Sequence, residues 1–128
     1  MLKFGTSGWR GVIGREVTFR NVRVVTSALI DTLHADGANG EFVVIGFDTR
    51  MLSEKFARAA AELIASADVP VKLAIRDVPS PVLAAAVSEL GASAGMVFTG
   101  SHNPPEYNGL KIYTPDGILA MSDFTDRL

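Results

Sequence analysis

The run Phe42-Val43-Val44-Ile45-Gly46-Phe47 decides the fold. It is too short for an ordinary helix, carries no charge, and is apolar at successive positions instead of alternate ones. That pattern belongs to a strand buried on both faces, as in a parallel sheet covered by helices. Helical periods flank it on either side. Upstream, Thr18 is placed to cap a helix from Phe19, with Val22, Val25, Leu29 and Leu33 recurring at three-to-four spacing until Gly37 and Gly40. Downstream, Ser53 is read as the cap of a second helix, with Phe56, Ala59, Ala60, Leu63, Ile64 and Ala67 inward. Val71, Leu73 and Ile75 alternate with polar or small residues, as in a strand nearer the sheet edge. Ser80 and Pro81 open a third helix that Gly91 stops. Strands follow at about Gly95–Phe98 and Leu110–Tyr113, with a Thr114-Pro115-Asp116-Gly117 turn beyond. Alternating strands and helices need crossover connections, which predicts an α/β fold: a three-layer α/β/α sandwich with a mostly parallel mixed sheet. In such sheets ligands bind past the carboxyl ends of the strands. Residues 48–50, 77–80 and 99–108 are therefore expected to gather on one edge.

Composition narrows the function. With 128 residues, 48% apolar and 20% charged, the chain suits one domain with a proper core. A net charge of −2 offers no basic footprint, so no nucleic-acid partner is expected. The absence of cysteine excludes a disulfide framework, a thiolate zinc site and a thiol nucleophile. No apolar run approaches the ~20 residues of a membrane span, and Met1-Leu-Lys-Phe-Gly5 shows no signal-peptide apolar region. A cytoplasmic protein without a membrane partner is the expectation.

Two loops hold the chemistry. Glycines at 5, 8, 11 and 14 mark an N-terminal loop whose backbone N–H groups could face a ligand; Ser7, Trp9 and Arg10 are its notable side chains, Trp9 as a packing anchor. The second runs from Gly95 to Tyr113, and places a hydroxyl (Ser101), an imidazole (His102), two amides (Asn103, Asn108) and an ammonium (Lys111) around Pro104 and Pro105. The nucleophile elbow of serine hydrolases needs glycine two residues either side of the serine. Thr99 and Asn103 stand there instead. Phosphoryl transfer accounts for more of the pattern, since it asks for fixed cations and N–H donors around a phosphate. Arg10, His102 and Lys111 would supply the cations, although each alone also reads as an ordinary surface residue. Asp48 and Arg50 read at least as readily as a mutual ion pair or a cap for the second helix as they do as site residues.

The residues Thr99-Gly-Ser-His-Asn-Pro-Pro-Glu-Tyr-Asn-Gly-Leu-Lys111 closely resemble the active-site serine signature of the α-D-phosphohexomutases. That family contains phosphoglucomutases, phosphomannomutases and phosphoglucosamine mutases. Phe4–Gly11, Gly46–Arg50 and Val78–Pro81 resemble three further family segments, in the same order along the chain. The resemblance implies that Ser101 carries a phosphoryl group, giving it to a hexose phosphate and recovering it from the hexose bisphosphate. It implies catalytic roles for Arg10, His102 and Lys111, and phosphate or substrate binding by Thr6, Ser7, Asn103 and Asn108. Mg²⁺ would bind a phosphate oxygen on Ser101, with its protein ligands in a domain absent from this chain.

The family commonly has Ala at Gly100 and often Thr at Ser80. Its Asp-Gly-Asp-x-Asp-Arg metal loop does not occur here. Residues 1–128 therefore read as the first of four domains, ending in a helix that Ser122 begins and the chain does not finish. The partners expected are hexose phosphate, hexose bisphosphate and the remaining domains of the polypeptide. By itself the chain is not expected to turn over. The alternatives are a phosphoglucosamine mutase domain and a non-catalytic module that binds a phosphosugar or a partner.

Overall fold

The computed structural model describes residues 8–37 and 42–120. Within them the elements run β1 (Trp9–Val12), α1 (Phe19–Ala35), β2 (Val43–Phe47), α2 (Ser53–Ser66), β3 (Val71–Leu73), α3 (Ser80–Leu90), β4 (Ala94–Phe98) and β5 (Tyr107–Tyr113). Thr6, Ser7, Gly40 and the helix expected from Ser122 lie outside the described residues.

The five strands form one sheet in the order β1-β5-β4-β2-β3. β2 lies parallel to β3 and β4, whereas β5 is antiparallel to both β4 and β1. Four strands thus point one way and β5 the other. The reversal has a local cause. Only the loop between Phe98 and Tyr107 joins β4 to β5, and a short connection can link only antiparallel neighbours.

The interior position of β2, between β4 and β3, follows from its composition, since all five of its residues are buried. On one face, α1 and α2 bring Val22, Leu29, Phe56 and Ile64 against Ile45, Met96, Leu110 and Ile112. On the other, Leu83 and Val87 of α3 meet Val44, Val97 and Tyr113. These are the three expected layers. Burial raises the Tyr113 phenol pKa, and the neighbouring Ser80 side chain opposes this in part.

Several boundaries differ from the sequence expectation. The first glycine segment is not all loop: Trp9–Val12 pairs with β5 as an edge strand, and Trp9 packs into the core. The Gly8 and Gly11 spacing concealed it. β5 begins at Tyr107, so Asn108 belongs to a strand. β3 ends at Leu73, leaving Ile75 97% exposed. Thr18 caps α1 as expected, accepting from the Asn21 N–H. Ser53 does not cap α2; the cap position is Leu52, at φ 65, and the Ser53 hydroxyl donates to Asp48 instead. α3 is capped one residue early, at Pro79.

Candidate active site

Side chains on a strand alternate between faces, and this decides which residues of β5 can meet a ligand. Leu110 and Ile112 face the α1–α2 core. Asn108 shares their face and is fully buried. Its Nδ2 donates to Met51 O (3.2 Å) and Ser53 Oγ (2.8 Å), while its Oδ1 accepts from the Gly109 N–H at 2.8 Å. It joins β5 to the start of α2 and presents nothing to a ligand. Asn108→Ala should therefore lower stability by about 1–3 kcal/mol, the usual cost of stranding buried polar partners. Urea unfolding will measure this.

Lys111 is on the opposite face. So is Arg10, because it pairs across the strands with Gly109, two residues away from Lys111. A side chain at residue 109 would collide with the Trp9 carbonyl oxygen and stand 2.9 Å from Arg10 Cα. Glycine there lets β1 close on β5 and sets the two cations side by side. Burial, and secondarily the Arg10 charge, lowers the Lys111 pKa below its ordinary 10.5. Arg10 also reaches the serine loop, where Nη1 donates to Asn103 Oδ1 at 3.2 Å.

The loop is folded by its own backbone. The Thr99 N–H donates to Gly109 O (3.0 Å), that of Asn103 to Gly100 O (3.0 Å) and that of Tyr107 to Pro104 O (3.0 Å). Ser101 lies between these turns at φ 56, in the left-handed region. Such a backbone costs about 1–3 kcal/mol for a residue other than glycine. The Thr99 hydroxyl helps to hold it, accepting from the Ser101 N–H at 3.0 Å. Ser101 and Asn103 are half-buried and His102 is exposed.

The expected gathering at one edge is present. The Asp48 N–H donates to Phe98 O, and that of Val78 to Phe47 O, each at 3.0 Å. Asp48, Arg50 and Asp77 line a common cavity of about 370 Å³. The ion-pair reading of Asp48 and Arg50 holds, with Arg50 Nε 3.4 Å from Asp48 Oδ2. Sequence reasoning missed what the rest of the Arg50 guanidinium does. Nη1 donates to the carbonyls of Pro104 (2.6 Å) and Tyr107 (3.2 Å), and Nη2 to those of Ser101 (2.7 Å) and Asn103 (2.6 Å). The available signal was an arginine three residues beyond β2, at the edge where the serine loop also emerges.

Among the described residues, no helix is long and apolar enough to cross a membrane, and no three His, Asp or Glu residues cluster to hold a metal.

The family model described as phosphoglucomutase/phosphomannomutase, alpha/beta/alpha domain I, matches residues 1–128. A phosphoglucomutase of Staphylococcus epidermidis is 40% identical over 129 residues, covering 99% of this chain and 24% of the relative. A "probable phosphoglucosamine mutase" of Methanothermobacter thermautotrophicus is 41% identical over 115 residues, covering 90% of this chain and 24% of the relative. Among solved structures, a "putative phosphomannomutase" of Thermus thermophilus superposes with a TM-score of 0.92 at 38% identity, over 98% of this chain and 28% of that one. The chain spans about a quarter of the length of these relatives.

Proposed function

Since the chain belongs to the phosphoglucomutase/phosphomannomutase family as its α/β/α domain I, we propose that Ser101 is the phosphoryl carrier of a hexose phosphate mutase. One observation carries the reading: Arg10, electrostatically coupled to Lys111, reaches into the serine loop at Asn103. A phosphoserine brings roughly −1.5 to −2 charge at neutral pH. Two fixed cations beside it would offset most of that charge, and in a partly dry site they need no reorganisation during transfer.

In the forward step a sugar hydroxyl attacks the phosphorus, the bond to Ser101 Oγ breaks, and the hydroxyl proton leaves as the serine oxygen gains one. The bisphosphate then returns its other phosphoryl group to Ser101 by the reverse exchange. Arg10 and Lys111 hold the charge of the transferring group and assist the movement of the proton. Exposed His102 is free to orient the sugar hydroxyl. Asn103 couples Arg10 to the loop, and Thr6 and Ser7 are assigned to phosphate binding.

The described residues do not by themselves form a metal site. Mg²⁺ would take one oxygen from the phosphate on Ser101 and its remaining ligands from outside this chain. The sugar would likewise be read elsewhere in the polypeptide, so the isolated domain should not turn over.

The test is a phosphopeptide map of the full-length protein after incubation with glucose 1,6-bisphosphate. One phosphate on the Ser101 peptide, and none in Ser101→Ala, is the expected result. Mutase turnover that survives Ser101→Ala would refute the reading. The similarity to a "probable phosphoglucosamine mutase" supports a second substrate assignment. Comparing kcat/KM for glucose, mannose and glucosamine phosphates decides between them.

A further inference from the structure

Arg50 stands outside the phosphate-binding set, yet its side chain is only 16% exposed and is held by four hydrogen bonds and an ion pair. A guanidinium has five N–H donors in a rigid planar fork. Here four meet the carbonyls of Ser101, Asn103, Pro104 and Tyr107, and Nε faces the Asp48 carboxylate. Asp48 is fixed in turn, since its Oδ1 accepts from the Arg50 N–H (3.0 Å) and the Ser53 hydroxyl (2.6 Å).

We infer that Arg50 is the positioning residue of the serine loop: its guanidinium is the template on which residues 101–107 are wound, and it acts on phosphoryl transfer through Ser101 without touching the phosphate. This rests on the reading of Ser101 as the carrier.

Three observations support the inference. The four carbonyls converge on one group, so losing it strands several acceptors at once. The carbonyl of Ser101 itself is gripped where the backbone is held at φ 56, so the contact selects the serine's conformation. The fork also lies against Gly100, where a Cβ would stand 2.6 Å from Arg50 Cζ and 2.7 Å from Nε. Electrostatics points the same way. Turning the negative ends of four carbonyl dipoles onto a cation keeps them from opposing a phosphate dianion on Ser101.

Lysine keeps the charge but offers three donors on a flexible stem and cannot reproduce the fork. The experiment uses the full-length protein with Arg50→Lys and Arg50→Ala, and reads two quantities. The first is amide hydrogen exchange over peptides spanning residues 99–109. It should quicken on the order of tenfold in Arg50→Lys, while peptides of α1 and β2 keep their protection. The second is phosphate uptake by Ser101 from glucose 1,6-bisphosphate. It should slow on the order of tenfold, since displacing a reacting group by about 1 Å is enough for such losses. In Arg50→Ala, millimolar guanidinium ion should restore uptake and ammonium should not.

Unchanged exchange in Arg50→Lys overturns the inference, as does rescue by ammonium equal to that by guanidinium. If Arg50→Ala fails to fold, the lysine variant still decides the matter. Quickened exchange together with a wild type that never acquires phosphate on Ser101 would support the clamp and sink the carrier reading, so the two failures are separable.

Discussion

Arg10→Ala is expected to slow phosphoryl transfer to and from Ser101 by about 10²–10³-fold, the usual cost of removing one preorganised donor from a site of developing charge. The position of Arg10 beside Lys111, on the face opposite the α1–α2 core, sets this size, together with its bond to Asn103. Removing it takes away a cation, a loop contact and the neighbour that depresses Lys111. Single-turnover quench experiments with labelled glucose 1,6-bisphosphate will measure the loss. A reduction smaller than fivefold would mean that Arg10 does not face the transferring group.

The same substitution carries a pH signature. Lys111 binds its proton less tightly in the folded chain than in the unfolded one, chiefly through burial and next through Arg10. Between its folded pKa and 10.5 the unfolded state therefore holds more protons, and this group makes stability rise with pH across that window. Below the window both states are protonated and the slope vanishes. Arg10→Ala should move the Lys111 midpoint only part of the way back, because burial is the larger cause. A phosphate on Ser101 should move it up as well. Titration of the Lys111 side chain by NMR follows both shifts, and a midpoint indifferent to Arg10→Ala would contradict the coupling.

The sequence revealed the layers more readily than the contacts. The unbroken apolar run of β2 and the helical periods around it required a sheet covered on both faces, and the carboxyl-edge rule located the loops. β1 escaped notice because edge pairing leaves little imprint on a glycine-rich segment of four residues. Asn108 is more instructive. Counted as a loop amide it looked available to a ligand; counted by strand parity from the apolar Leu110 and Ile112 it falls on the core face. That parity was legible, but only with the start of β5 in hand. The role of Arg50 was not, since its partners are backbone carbonyls more than fifty residues away and carbonyls leave no trace in side-chain identity.

Phe98→Ala is expected to cost about 3–5 kcal/mol of stability, the range for deleting a buried aromatic ring. A domain of this size has roughly 5–15 kcal/mol in all, so the variant would lose a large share of its stability. Phe98 is fully buried, and its ring lies 6.4 Å from that of Phe56, which is 4.8 Å from that of Phe19. This aromatic line connects β4 through α2 to the first turn of α1, so shrinking one end removes the ring that Phe56 packs against. Phe98 also pairs with Phe47 on one side and Leu110 on the other, and its carbonyl accepts from Asp48. The last ring of β4 thus sits immediately before Thr99-Gly100-Ser101 and under the residue that steadies Arg50. Loss of the ring should therefore show twice: as a lower urea midpoint with unchanged m, and as quicker amide exchange in the serine loop under conditions where the chain remains folded. A midpoint loss without any loop effect would mean that the serine loop is held by Arg50 and Thr99 alone, independently of the core beneath it.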